Sequence, residues 1–200
     1  MHCIGHLIRK VHRHVSRCTL CAPHLVDGVR PVLQVDTQAR ILVAGQAPGR
    51  KVHASGIPFD DASGERLRTW MGVSAEVFYD ATQVAILPMG FCYPGTGKSG
   101  DLPPRKECAP QWRAPLLAAM PRIELILAIG QYAIAWHLPQ CATETLTETV
   151  RDWRRHWPTV LPLPHPSPRN NIWLKANPWS LGRTTNVDCL RSFYVTVRPQ

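Results

Sequence analysis

The sequence predicts an α/β fold built on a parallel sheet, on three observations. Runs at 41–44, 84–87 and 123–129, apolar except for Glu124 near the start of the third, leave no polar face for water, as buried parallel strands do. Segments with helical apolar spacing alternate with these runs along the chain. Each run also stops at a residue that breaks regular structure: Gly45, Pro88 and Gly130.

Taken in order, Ile4, Leu7, Ile8, Val11 and Val15 recur at helical spacing, so an amphipathic helix opens the chain and ends at Cys18-Thr19-Leu20-Cys21. Pro23, Gly28 and Pro31 make the next segment irregular, and it leads into the first strand at 41–44. That strand breaks into Gly45-Gln46-Ala47-Pro48-Gly49-Arg50, where the glycines allow a sharp turn and close approach of a ligand to the backbone. Ligands of α/β sheets bind beyond the carboxyl ends of strands, so 46–50 should border a site. A long loop then carries Phe59, and a helix over 63–71 turns Leu67, Trp70 and Met71 inward.

The second strand, 84–87, leads into a Gly/Pro-rich stretch over 90–104 that is too long for a simple connector. Within it Gly95-Thr96-Gly97-Lys98-Ser99 imitates a phosphate-binding loop, but Cys92 stands where the first glycine is required and Pro103-Pro104 follow where a helix should open. A helix over 108–120, broken near Pro115, precedes the third strand. Helices over 131–138 and 146–157 follow, the latter with Arg151, Arg154 and Arg155 exposed. Leu161 and Leu163 make a short fourth strand ending at His165-Pro166-Ser167-Pro168-Arg169-Asn170, and 186–194 form a closing helix.

The 200 residues suit a single domain over 1–200. A formal charge of +9 and a pI near 9.6 favour a polyanionic partner, with nucleic acid first. No apolar run reaches the ~20 residues of a bilayer span, and Met1 to Arg17 has no secretory pattern. The expectation is a cytoplasmic monomer, near the nucleoid if bacterial, whose seven cysteines are reduced. Cys18 and Cys21 form a C-x-x-C pair, and Cys92 and Cys108 supply the count for a four-thiolate centre, iron-sulfur or zinc. Cys3, Cys141 and Cys189 are ordinary thiols.

These motifs together resemble the uracil-DNA glycosylase superfamily, most closely its iron-sulfur families 4 and 5, over nearly the whole chain. Family 4 has Gly-Glu-Ala-Pro-Gly with a Pro-Phe ten residues on, and Gly45-Gln46-Ala47-Pro48-Gly49 precedes Phe59 at that spacing. Its last two cysteines flank a Gly/Pro-rich loop, as Cys92 and Cys108 do, and His165 to Asn170 is similar to the family 5 second motif. The resemblance implies a three-layer αβα sandwich around a four-stranded parallel sheet. It also implies a [4Fe-4S] cluster on Cys18, Cys21, Cys92 and Cys108, with zinc as the alternative, and a DNA groove at the strand ends.

It implies roles as well. Phe59 would stack on an expelled base, and His165 would donate to the base oxygen with help from the Gln46 and Ala47 amides. Arg50, Ser167, Arg169, Asn170 and Asn171 would meet DNA, with Lys175 and Trp173 as lesser candidates. The chain departs from family 4 where Gln46 replaces the acid and Pro88 replaces the uracil-reading Asn. Asp61, in Asp61-Ala62-Ser63-Gly64, resembles the family 5 catalytic Asp; Asp60 is its rival, and His53 would be a nucleophile of the covalent branch. The functions in competition are a monofunctional glycosylase acting on uracil or a related deaminated base, a glycosylase-like DNA-binding module without activity, and an iron-sulfur protein acting on another nucleotide.

Overall fold

A computed structural model describes residues 2–98, 100–180 and 186–197. In chain order the elements are α1 (His2–Ser16), β1 (Ile41–Ala44), α2 (Arg50–Ser55), α3 (Ala62–Met71), α4 (Ala75–Tyr79), β2 (Val84–Ile86), β3 (Thr96–Gly97), β4 (Gly100–Asp101), α5 (Cys108–Ala118), β5 (Leu125–Ile129), α6 (Gly130–His137), α7 (Leu146–Arg151), β6 (Val160–Leu163), α8 (Asn171–Ala176) and α9 (Asn186–Val197).

The main sheet runs β2-β1-β5-β6 with every pairing parallel, and β1 is central: Ile41 pairs with Val84 on one side and Leu125 on the other. Alternation along β1 divides the core into layers. Ile41 and Val43 join Trp70, Phe78, Trp153 and Leu190 on one face. Leu42 joins Val11, Val15, Leu116 and Met120 on the other, and Ala44 joins Ala133, Ile134 and Val150 there. The three-layer arrangement expected from the sequence is therefore present. Pro162 sits inside β6 without breaking it because β6 is an edge strand, where a missing N–H costs no ladder bond.

Several local expectations need correction. Helix α5 is continuous through Pro115, whose ring opposes the carbonyl of exposed Gln111, where water can replace the lost bond. Helix α7 stops at Arg151, and a tighter 3-10 turn over Trp153–Arg155 carries Trp153 into the core. Among the described side chains of α1 only Ile8, Val11 and Val15 are buried, while Ile4 and Leu7 are exposed. The loops after β1 and β2 contain structure of their own, the short helix α2 and the β3–β4 hairpin. The glycine-rich mimic of a phosphate loop forms part of that hairpin, and Ser99 and the Cys3 side chain lie outside the described residues.

Arg113 is the largest fully buried side chain, 0 % exposed, on α5. Its guanidinium donates to the carbonyls of Leu87 (2.7 Å) and Pro88 (3.1 Å), and His137 Nε2 lies 2.6 Å from Nη2. Burial pulls Arg113 down to about 10, so it is charged at neutral pH. Burial first, then Arg113, pushes His137 down to about 3, so His137 is neutral and accepts. This clamp fixes the chain where β2 gives way to the Gly/Pro-rich stretch.

Candidate active site

The four parallel strands end on the same side, and the chain leaves them at Gly45, Leu87-Pro88, Gly130 and Pro164-His165. A cleft of about 560 Å³ opens there. It is walled by Gln46, Ala47 and Arg50 from the first turn, by Phe59 and Asp61 from the segment before α3, and by His165, Ser167, Arg169 and Asn170 after β6. Residues more than a hundred positions apart are joined there because the strand order reverses between β1 and β5, which opens a crevice.

Phe59 is held in an uncommon backbone conformation, with φ 53. A non-glycine residue there costs about 1–3 kcal/mol and persists only where its surroundings hold it. Here Tyr79 donates to the Phe59 carbonyl at 3.4 Å, and a Cβ on Gly64 would lie 1.8 Å from that oxygen, so only glycine fits under the turn. The ring edge meets Phe78 at 6.1 Å and its tip lies over Gly45, where a Cβ would be 3.3 Å away. One part of Phe59 is thus rooted in the core while the residue lines the cleft.

Asp61 caps α3: its Oδ1 accepts from the Gly64 N–H at 2.9 Å, leaving Oδ2 for another partner. Asp60 is exposed and off the cleft wall. His53 also lies off the wall, with Nε2 3.0 Å from the Asp27 carbonyl and its ring 5.9 Å from Tyr93. Between the three candidates for the catalytic group, only Asp61 lines the cleft.

His165 is fixed by its own loop. The Ser167 N–H donates to Nδ1 at 3.2 Å, and the Asn170 side chain donates to the His165 carbonyl at 2.9 Å. Arg66 holds the loop from α3 by donating to the Ser167 carbonyl at 3.2 Å. Burial pulls the imidazole below its ordinary range, only partly offset by Asp61 and Asp101. A neutral ring that accepts at Nδ1 carries its proton on Nε2, which makes Nε2 a donor.

The Gln46 side chain donates to the Leu102 carbonyl at 3.1 Å, so it braces the Gly/Pro-rich stretch. The Gln46 and Ala47 N–H groups meet no acceptor among the described residues and remain available to a ligand. Asn171 is exposed at the start of α8 and off the wall, as is Lys175; Trp173 donates to Thr147 Oγ1 at 2.9 Å and packs on Trp179. Two further residues carried no role in the sequence reading. Asp101, on β4, lines the cleft, and Ile172, one residue past Asn171, is 83 % exposed. A carboxylate inside an over-long loop of a basic chain was the available signal for the first; nothing local marked the second.

Cys18, Cys21, Cys92 and Cys108 line a second, small cavity, closed by apolar groups including Val15, Leu25, Phe91 and Trp112. The Phe91 N–H donates to Cys108 Sγ at 3.4 Å. Burial pushes the Cys21, Cys92 and Cys108 thiols up, Cys108 to about 12, and neighbouring thiolates add to the effect. Among the described residues no three His, Cys, Asp or Glu side chains converge as they would on a single ion.

Residues 33–186 match the description "Uracil DNA glycosylase superfamily". The chain belongs to that superfamily. The matched segment contains every residue of the cleft wall except Val32, together with Cys92 and Cys108, whereas Cys18 and Cys21 precede it. No helix among the described residues is long and apolar enough to cross a membrane.

Proposed function

We propose that this protein is a monofunctional DNA glycosylase that hydrolyses the N-glycosidic bond of uracil, or a related deaminated base, in DNA. The observation that carries the reading is that Phe59, from the segment after central strand β1, and His165, from the loop after edge strand β6, wall one cleft beyond the strand ends. Extrusion of a base costs a few kcal/mol, and an aromatic face beside a polar donor recovers it by stacking and hydrogen bonding.

In the reaction the bond between sugar C1′ and the base nitrogen breaks, and its electron pair leaves with the base. Negative charge gathers on the base oxygen, where the His165 Nε2–H and the Gln46 and Ala47 amides act as preorganised donors. Water adds to the cationic C1′ and gives up a proton, with the free Oδ2 of Asp61 orienting it. Arg50, Arg169 and Asn170 hold the backbone on either side, and Ile172, exposed two residues past Asn170, is the apolar side chain that would fill the vacated stack. Strand cleavage is not part of the proposed activity: among the described residues the lysine that lines the cleft is Lys51, exposed on α2 rather than enclosed as a Schiff-base nucleophile would be.

The four cysteines fit a [4Fe-4S] cluster: all donors are sulfur, they ring a shared apolar cavity, and a backbone N–H already points at one of them. Cys18, Cys21, Cys92 and Cys108 would hold it, and its contribution is a cross-link between the segment after α1 and the loop that borders the cleft. Anaerobic preparations should contain about four iron and four sulfide per chain with broad visible absorption, lost in Cys92→Ala. One zinc and no iron would replace the cluster with a mononuclear site.

Single-turnover incubation with single- and double-stranded uracil DNA tests the activity: abasic product without strand breaks is expected. DNA binding without any abasic product would instead favour a recognition module.

A further inference from the structure

We propose that Asp101 is a second catalytic carboxylate, placed by the β3–β4 hairpin to face the positive charge that develops on the sugar of an expelled nucleotide. This deepens the glycosylase reading above and rests on it. Three contacts fix the hairpin between the two motifs that build the cleft. The Gln46 side chain donates to the carbonyl of Leu102, the residue after Asp101, at 3.1 Å. Arg50 reaches Thr96 Oγ1 at 3.4 Å. On the far side Gly100, at φ 141, lies so close to Arg169 that a Cβ would be 2.7 Å from Nη1. The Asp101 carboxylate itself projects over the first motif, its Oδ2 3.5 Å from where a Cβ on Gly49 would stand.

An acid at this point opposes DNA binding. The chain carries a formal +9 charge, and Arg50, Lys51 and Arg169 line the same cleft, so a carboxylate among them repels the phosphates they attract. Such a group is useful where cationic charge appears, and in this reaction that charge appears only at the sugar. Asp61 offers one free oxygen, its other being bound to the Gly64 amide, whereas the Asp101 carboxylate has no hydrogen-bond partner among the described residues. Gln46 completes the arrangement. Its amide can donate to Leu102, while a glutamate there would set a carboxylate against that carbonyl and push the hairpin away. The acid absent from the first turn is thus supplied from the hairpin that Gln46 braces.

The experiment compares wild type with Asp101→Asn and Asp101→Glu in the full chain. It measures single-turnover uracil excision, and affinity for DNA carrying either a neutral tetrahydrofuran abasic site or a cationic 1-aza-deoxyribose. Expected for Asp101→Asn are excision slower by about 50-fold or more, affinity for the neutral analogue equal or tighter, and loss of a roughly tenfold preference for the cationic analogue. Partial recovery of that preference is expected in Asp101→Glu, with melting temperatures unchanged in both. Excision within about threefold of wild type, a preserved cationic preference, or weaker binding of both analogues would each overturn the role. If wild type excises nothing, the uracil reading fails on its own. The cationic preference then decides the role of Asp101: present in wild type and lost in Asp101→Asn it stands, absent from wild type it falls.

Discussion

At the residue scale, the proposed function rests on two side chains held in states they would not adopt alone. His165 is neutral because partial burial holds its pKa below the ordinary value, and its proton sits on Nε2 because the Ser167 N–H occupies Nδ1. Replacing it with Ala should slow excision by about 10²–10³-fold with little change in DNA affinity, measured in single turnover. Because its pKa lies below the ordinary 6.5, the rate should stay flat as pH falls through 6.5 and decline only in more acidic solution. A decline centred at 6.5 or above would mean that the ring titrates freely. Phe59 is held in place by a glycine: Gly64→Ala forces a methyl against the Phe59 carbonyl and should cost about 3 kcal/mol in urea unfolding while abolishing base capture. The His-Pro-Ser context made His165 legible in the sequence, and spacing marked Phe59. The tautomer was not legible, because it depends on a hydrogen bond whose geometry only the folded loop defines.

At the scale of elements, strands and cleft could be anticipated for different reasons. Runs such as Ile41–Ala44 are apolar on both faces, as covered parallel strands are, so a parallel sheet was readable from these runs and the helical segments between them. The β3–β4 hairpin was not, since two-residue strands rich in glycine carry no periodicity; its position is set by Gln46, Arg50 and Arg169 from other elements. Helix α5 survives Pro115 because tertiary contacts, chiefly the buried Arg113, hold it against the end of β2. Arg113→Ala would strand two buried carbonyls and open a cavity, so it should lower stability by about 2–4 kcal/mol by urea denaturation. Arg113→Met, which refills most of the volume, should recover part of the loss.

At the scale of the whole molecule, charge sets both stability and partner. The unfolded chain protonates His137 near its ordinary 6.5, whereas the folded protein resists until about 3. The unfolded state therefore binds the extra proton between these values, so stability falls as pH drops below 6.5, by up to about 1.4 kcal/mol per pH unit from this one group. In His137→Gln that slope should flatten. Excess positive charge should make DNA affinity steeply salt-dependent, and Arg169→Ala should reduce the log–log slope by about one. Net charge pointed to a polyanion from the outset, but only the meeting of distant motifs at the strand ends gives that polyanion a place to put a base. The most direct test of this meeting is a crystal structure of His165→Ala bound to uracil-containing DNA. The expected result is an extruded uracil lying against the Phe59 ring, with its oxygen facing the space left by the imidazole. A uracil still stacked in the DNA, or bound away from Phe59, would contradict it.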